Sequence, residues 1–254
     1  MKIHFLGTGT SQGVPVIGCD CEVCQSQDKR DTRLRTSILI QTDHLNLVVD
    51  VGPDFRQQML KTGIQKLDAV LITHEHNDHI IGMDDIRPFN FRSGKDLPVY
   101  ASDRVQKELR QRFSYIFDTN PYPGAPQVEL CSINKEESFQ IENITILPIE
   151  VIHGKMPVLG FRINNFTYIT DAKTIEAKEL EKIKGTEVLV LNALIQKEHH
   201  SHLNLLQALD IIDLIQPKQA YLTHVSHRMG KTSEIEQLLP NNVSFAYDGL
   251  EIQI

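Results

Sequence analysis

No apolar run in this chain is long enough to cross a bilayer as a helix; the longest are strand-sized. A helical membrane protein is not expected. The chain starts Met1-Lys2-Ile3-His4-Phe5-Leu6 and goes straight into Gly7. It lacks the apolar stretch and small-residue cleavage site of a secretory leader, so the expected location is cytoplasmic. Excess positive charge is missing too. Lys and Arg number 26 against 33 Asp and Glu, a formal net charge of −7. That speaks against a basic surface for nucleic acid. Cysteine is scarce, at four residues, and Cys19, Cys21 and Cys24 stand together while Cys131 stands alone. In a reducing compartment such a cluster reads as metal binding, not as a disulfide. A P-loop is absent, because no Lys-Ser/Thr pair follows Gly7-Thr8-Gly9-Thr10-Ser11-Gln12-Gly13 at the required offset. The third glycine and helix of a dinucleotide fingerprint are absent as well. That run reads as a tight turn whose glycines let backbone come close to a site.

What is present is a chain of 254 residues, 41% hydrophobic, with no linker that would separate independent domains. Short apolar runs predict strands at Ile3–Leu6, Thr36–Gln41, Asn46–Val49, Ala69–Ile72, Leu97–Tyr100, Phe139–Pro148 (a pair), Val158–Ile163, Phe166–Thr170, Val188–Leu191, Ala220–Thr223, Ser244–Ala246 and Leu250–Ile254. Helices are predicted over Asp54–Thr62, stopped by Gly63, over Asp103–Phe113 with Ser102 as N-cap, over Glu176–Lys184 and over Leu203–Ile215. A short helix is expected around Ile80–Ile86, and the proline-bearing stretch 118–126 is expected to be a loop.

Thr73-His74-Glu75-His76-Asn77-Asp78-His79 organises the rest. A core tolerates one satisfied histidine, but not four metal-capable groups within six residues without a shared partner. Imidazole and carboxylate together suit Zn, Mn or Fe. In an extended segment His74 and His76 point to one side, so both can hold one ion. The same event recurs along the chain. An apolar strand ends and a metal-capable group follows at His74, His153, Asp171 and His224. Ligand sites in α/β proteins gather at strand ends. Asp50, at another strand end, is placed to orient a ligand from behind. Cys19, Cys21 and Cys24 have the spacing of a thiolate zinc site short of its fourth ligand, with Cys131 or a distant histidine as candidates.

These residues resemble the metallo-β-lactamase fold, a four-layer αββα sandwich in the α/β class. The matching positions are Asp50, His74-x-His76-x-Asp78-His79, His153, Asp171 and His224. The glycine-rich turn, the cysteine loop and Leu222-Thr223-His224-Val225-Ser226-His227 further resemble the phosphoribosyl 1,2-cyclic phosphate phosphodiesterase family. The resemblance implies a single domain over residues 1–254, with a Cys3His structural metal loop around 18–24 completed by His227. It implies two divalent ions, Mn or Zn, in the active site beside one structural Zn. The first would take His74, His76 and His153, the second Asp78, His79 and His224, and Asp171 would bridge them.

The function expected is a dinuclear metal-dependent hydrolase, a phosphodiesterase acting on a small, cyclic or open, phosphodiester. Asp78, His200 and His202 form the catalytic set. His200 is favoured as the group at the leaving oxygen, because it matches the family's position, and His202 is its rival. The partners expected are a small anionic substrate and a second copy of the chain; neither nucleic acid nor a membrane is expected. Competing readings are a thioesterase or lactonase of the glyoxalase-II kind, a tRNA 3′-processing-type nuclease, and a non-catalytic zinc-stabilised interaction module. The first would need acyl or thiol-conjugate contacts in its pocket. The last would not need so complete a ligand set.

Overall fold

The computed structural model describes residues 1–254 throughout. The first six strands, β1 (Lys2–Gly7), β2 (Ser37–Gln41), β3 (Asn46–Val49), β4 (Ala69–Leu71), β5 (Leu97–Ala101) and β6 (Val128–Ser132), form one sheet. The next seven, β7 (Phe139–Ile141), β8 (Ile144–His153), β9 (Met156–Ile163), β10 (Phe166–Tyr168), β11 (Val188–Asn192), β12 (Gln219–Thr223) and β13 (Val243–Phe245), form a second. The last strand, β14 (Glu251–Gln253), returns to pair with β1 in the first sheet.

Each sheet is half antiparallel and half parallel. Strands β1, β2 and β3 are antiparallel neighbours, whereas β3 to β6 run parallel. In the second sheet β7 to β10 alternate direction and β10 to β13 run parallel. Parallel neighbours need crossovers, and helices supply most of them. These are α1 (Phe55–Thr62), α2 (Asn77–Ile80), α3 (Arg87–Ser93) and α4 (Asp103–Arg112) on the first sheet, and α5 (Ala177–Ile183), α6 (Leu205–Ile215) and α7 (Thr232–Ile235) on the second.

The pleat sorts the side chains into layers. Ile38 and Ile40 point between the sheets with Val49, Leu71, Phe161, Phe166 and Val190. Leu39, Val48 and Val70 point the other way, onto Phe55, Phe89, Val105 and Leu109 of the helices. Leu189 and Leu191 meet Ile183, Ala208 and Ile212 on the far side. Strands buried on both faces have no polar side, which is why they read as continuous apolar runs. The outcome is the expected αββα sandwich.

Local signals hold where the chemistry is local. Gly63 closes α1 at φ 67°. Ser102 caps α4. Asn204 and Gln207 form a reciprocal capping box that starts α6 two residues later than the apolar pattern suggests. The structure adds elements that the sequence reading lacked, among them β6, α3 and α7. Strand β6 is an edge strand with alternating exposed residues, so it carries no apolar run. Helix α3 follows directly on the 3₁₀ turn Ile81–Ile86, with Pro88 in its first turn and Gly94 at its end.

The topology aims the strand ends at one place. Strands β3 and β4 are parallel, as are β10, β11 and β12. Strand β8 is two antiparallel steps from β10 and so shares its direction. At or within three residues past these ends lie Asp50, His74, His153, Asp171 and His224.

Candidate metal centre

The centre begins with Asp50. Its buried carboxylate accepts the Thr73 amide and hydroxyl at 2.9 Å each, and His79 Nδ1 at 2.7 Å. The Thr73 hydroxyl hydrogen is engaged with Asp50, so its oxygen accepts the N–H of His74 Nδ1 at 2.9 Å. One carboxylate thus fixes the tautomer of two rings and leaves the Nε2 of each facing inward. His74 Nε2 stands 3.1 Å from His76 Nδ1. On the opposite side His153 Nδ1 donates to the Ser201 carbonyl at 2.8 Å, again freeing Nε2.

Asp171 lies between the two halves. Its Oδ2 is 3.4 Å from His79 Nε2, and its Oδ1 is 3.3 Å from His224 Nε2. Asp78 Oδ2 is 3.3 Å from His79 Nε2 and 3.8 Å from His224 Nε2. Asp50, Asp171 and His224 have φ of 64°, 59° and 55°, in the left-handed region that non-glycine residues avoid. Such strain is kept where the surroundings over-determine it, commonly at a functional site. The approach of the segments is equally tight: a Cβ on Gly52 would stand 2.2 Å from the Asp78 carbonyl.

The donor set fits metal ions. His79 Nε2, His202 Nδ1 and both ring nitrogens of His224 are buried with no hydrogen-bond partner. Orphaned buried polar atoms are costly, and a bound cation accounts for them. Ligand atoms within reach of one ion fall into overlapping sets: His74, His79 and Asp171; Asp78, His79 and His224; His153, Asp171 and His202. Burial, helped by the neighbouring His79, pushes His74 well below its usual pKa. Burial opposes charge on His79, but Asp78, Asp50 and Asp171 outweigh it and hold that ring well above its usual value. Burial would raise Asp171, yet His224, His79 and His74 keep it ionised. Ionised carboxylates beside imidazole nitrogens make a cation site.

All of His74, His76, Asp78, His79, His153, Asp171 and His224 therefore converge, with Asp50 behind them. His200 does not join them. It is exposed, its ring against His199 at 4.4 Å. His202 takes the inward place, 3.7 Å from Asp171 Oδ1 and with ring centroids 4.4 Å from His153 and 5.0 Å from His224. The reason is the next residue. Leu203 is buried and its amide bonds to the carbonyl of Ala172, which carries residue 202 to Asp171. The sequence reading missed Thr73, Ser201 and Asn192. The Asn192 side chain brackets the Ala172 backbone at 2.7 and 2.9 Å and so supports Asp171. Asn192, too, is a polar residue at the end of an apolar strand, a signal already in use for the histidines.

A second cluster lies beside the first. Cys19, Cys21 and Cys24 place their sulfurs 3.3, 3.3 and 3.5 Å from His227 Nδ1. These atoms are within reach of one tetrahedral ion. The Cys24 amide bonds Cys21 Sγ and is the largest cause of a Cys21 thiol pKa lowered to about 6, while burial pushes Cys24 up to about 11. Cys131 is on β6, far along the chain from this cluster and not a member of it.

The fold has counterparts among known proteins. The model of the beta-lactamase superfamily domain matches residues 45–225. A protein of Porphyromonas gingivalis named octanoyltransferase is 44% identical over 253 residues, 99% of this chain and 51% of that protein. This chain thus spans about half the length of that relative. A crystal structure described as a new diphosphatase from the PhnP family superposes with a TM-score of 0.93 at 38% identity, covering 99% of this chain and 96% of that one. The zinc-bound PqqB of Methylobacterium extorquens shares the fold at TM-score 0.79 and 17% identity, over the whole of both chains. The chain belongs to the metallo-β-lactamase superfamily and is related to the PhnP family.

Proposed function

We propose that this protein is a dinuclear hydrolase that cleaves a phosphorus–oxygen bond in a small phosphodiester or diphosphate. The observation that supports it most is the position of Asp171, whose two oxygens face His79 on one side and His224 on the other. An aspartate so placed could serve two ions at once, and a pair of divalent ions held there would supply the Lewis-acid chemistry that displacement at phosphorus uses. His74, His76 and His153 would hold one ion, and Asp78, His79 and His224 the other. When bound, the ions polarise the phosphoryl oxygens and make water a better nucleophile at neutral pH.

The chain's own groups do the rest. Asp78, kept ionised by His79 and His224 against the effect of its burial, accepts a hydrogen bond from the attacking water and orients it. The water oxygen forms the new bond to phosphorus. The bond to the leaving oxygen breaks, and its electron pair stays on that oxygen. His202, at the rim of the cluster and next to Asp171, gives the leaving oxygen an N–H hydrogen bond. The proton shed by water ends on the leaving group. Cys19, Cys21, Cys24 and His227 would hold a separate structural zinc, since soft thiolates differ in kind from the N/O donors of the active cluster.

The test is a substrate panel on metal-reconstituted protein. Bis(p-nitrophenyl) phosphate and a nucleoside diphosphate are compared with a thioester and a lactone. Turnover of a phosphorus substrate well above the other two supports the reading. A clear preference for thioester or lactone replaces it with a glyoxalase-II-like activity.

A further inference from the structure

Two separate segments supply the three rings proposed above for one ion. His74 and His76 stand on the loop after β4, whereas His153 ends β8 in its hairpin with β9. Strand β4 belongs to the first sheet, and β8 and β9 belong to the second. An ion held by both segments needs them at a fixed separation. One backbone bond crosses between them, from the Leu159 amide to the Thr73 carbonyl at 3.0 Å.

A side chain makes a second crossing. In the extended loop His74 and His76 turn toward the cluster, so Glu75 and Asn77 turn away from it. Glu75 is buried all the same, and a carboxylate taken out of water needs a partner. Its partner is Arg104, whose Nη2 donates to Glu75 Oε2 at 2.8 Å. The same Nη2 donates to the Pro157 carbonyl at 2.9 Å. Pro157 pairs with Ile152 in the hairpin, one step from His153. A single guanidinium nitrogen therefore joins the histidine loop to the hairpin that carries the third ring.

Topology brings Arg104 to this place. Strands β4 and β5 are parallel neighbours, and the Ile72 amide bonds the Tyr100 carbonyl at 2.9 Å just past the end of β4. Helix α4, capped by Ser102, starts beside the histidine loop for that reason. Val105 and Leu109 anchor it in the core. Arg104, Glu108 and Arg112 follow one another at four-residue spacing along the helix. Arg112 Nη1 donates to Asn77 Oδ1 at 2.7 Å, while its Nη2 and Nε hold Glu108 Oε2 at 3.2 and 3.3 Å. Both outward residues of the loop are thus held by α4.

The Arg104 side chain is 40% exposed, and an ion pair open to water adds little to stability. Metal binding is the more sensitive quantity, because ligand distances tolerate shifts of only about 0.2 Å. We infer that Arg104 is a positioning residue for the metal centre, holding His74 and His76 at a fixed distance from His153 through Glu75 and Pro157. The inference rests on the proposed assignment of those three rings to one ion.

The experiment compares wild type with Arg104→Gln, Arg104→Lys, Glu75→Ala and the double variant Glu75→Ala/Arg104→Gln. Affinity of the N/O cluster for Zn is read by chelator competition, and the zinc held by the thiolates is counted in the same samples. Thermal midpoints are taken with the N/O cluster filled and emptied. Arg104→Gln should weaken one ion of the cluster by about five- to tenfold, less than the about 10–100-fold of a group bonded directly to a ligand. The thiolate-held zinc should stay as in wild type. Arg104→Lys, which keeps a charge beside Glu75, should recover part of the affinity. The double variant should bind no more weakly than Arg104→Gln, since Glu75 acts through the arginine. The midpoint should fall in the filled protein and not in the emptied one. Unchanged Zn affinity in Arg104→Gln, or midpoints that fall equally in both states, would overturn the inference, and additive losses in the double variant would overturn the route through Glu75. If wild type binds a single ion in the N/O cluster, the dinuclear reading fails, and the Arg104 variants still decide this inference on that ion.

Discussion

At the residue scale the account turns on which histidine faces the chemistry. His202 and His200 are two positions apart, and only the buried Leu203 that follows decides between them. We expect His202→Ala to keep its metals and to lose about 10²–10⁴-fold on an alkoxide leaving group, with a much smaller loss on nitrophenolate, which needs little help to leave. His200→Ala should behave as wild type on both. A large, leaving-group-dependent loss in His200→Ala with none in His202→Ala would reverse the assignment. Asp50 is a second such residue, since it touches no substrate and yet sets the tautomers of His79 and His74. Asp50→Asn keeps the size but returns an amide where a carboxylate accepted three bonds. Metal affinity measured by competition with a chelator should fall about 10–100-fold. An unchanged affinity would mean that the rings orient themselves.

At the element scale the strand ends carry the site, and this is what the sequence made legible. The apolar runs before His74, His153, Asp171 and His224 located strands correctly, because a strand buried on both faces has a simple signature. Asp171 and Asp50 were visible as polar residues where such runs stop. The convergence itself was not, since the pairing order β13 to β7 is set by packing between sheets and leaves no local trace. The edge strand β6 was missed for the converse reason: half solvated, it alternates and resembles loop. The choice between His200 and His202 stayed open in the sequence because it depends on a bond from Leu203 to Ala172, thirty-odd residues back in the chain. The cysteine loop was legible from spacing alone, and its fourth ligand came through the family resemblance. Cys21→Ser should cost the protein one tightly held zinc and lower its thermal midpoint, because such binding is coupled to folding. Zinc content and midpoint both equal to wild type would show that the loop stands without metal.

At the scale of the whole molecule, one buried link joins the N-terminal half to the C-terminal end. Asp248 accepts the Thr8 hydroxyl at 2.8 Å and the Leu34 amide at 2.7 Å, and Thr8 in turn accepts Arg33 at 2.8 Å. Burial raises the Asp248 pKa from 3.8 to about 6. Between those values the folded state holds a proton that the unfolded state has released. Its contribution is therefore present below about pH 4 and is lost as pH rises toward 6. The residue keeps some surface, so the change is less than the ~3 kcal/mol that a shift of this size converts to. In Asp248→Asn this loss should disappear, and denaturant unfolding from pH 4 to 6 should show a variant that gains on wild type as pH rises. Parallel pH curves would refute it. The central claim concerns the active centre, that two ions bridged by Asp171 make this chain a phosphoryl hydrolase. The most direct measurement is a titration of chelator-stripped protein with Mn or Zn, following hydrolysis of bis(p-nitrophenyl) phosphate against metal bound per chain, for wild type and Asp171→Ala. Wild type should reach full activity only with two ions bound beyond the thiolate-held one, and Asp171→Ala should bind the active pair weakly and stay nearly inactive. Full activity with a single ion in the N/O cluster, or near-normal loading and turnover in Asp171→Ala, would contradict it.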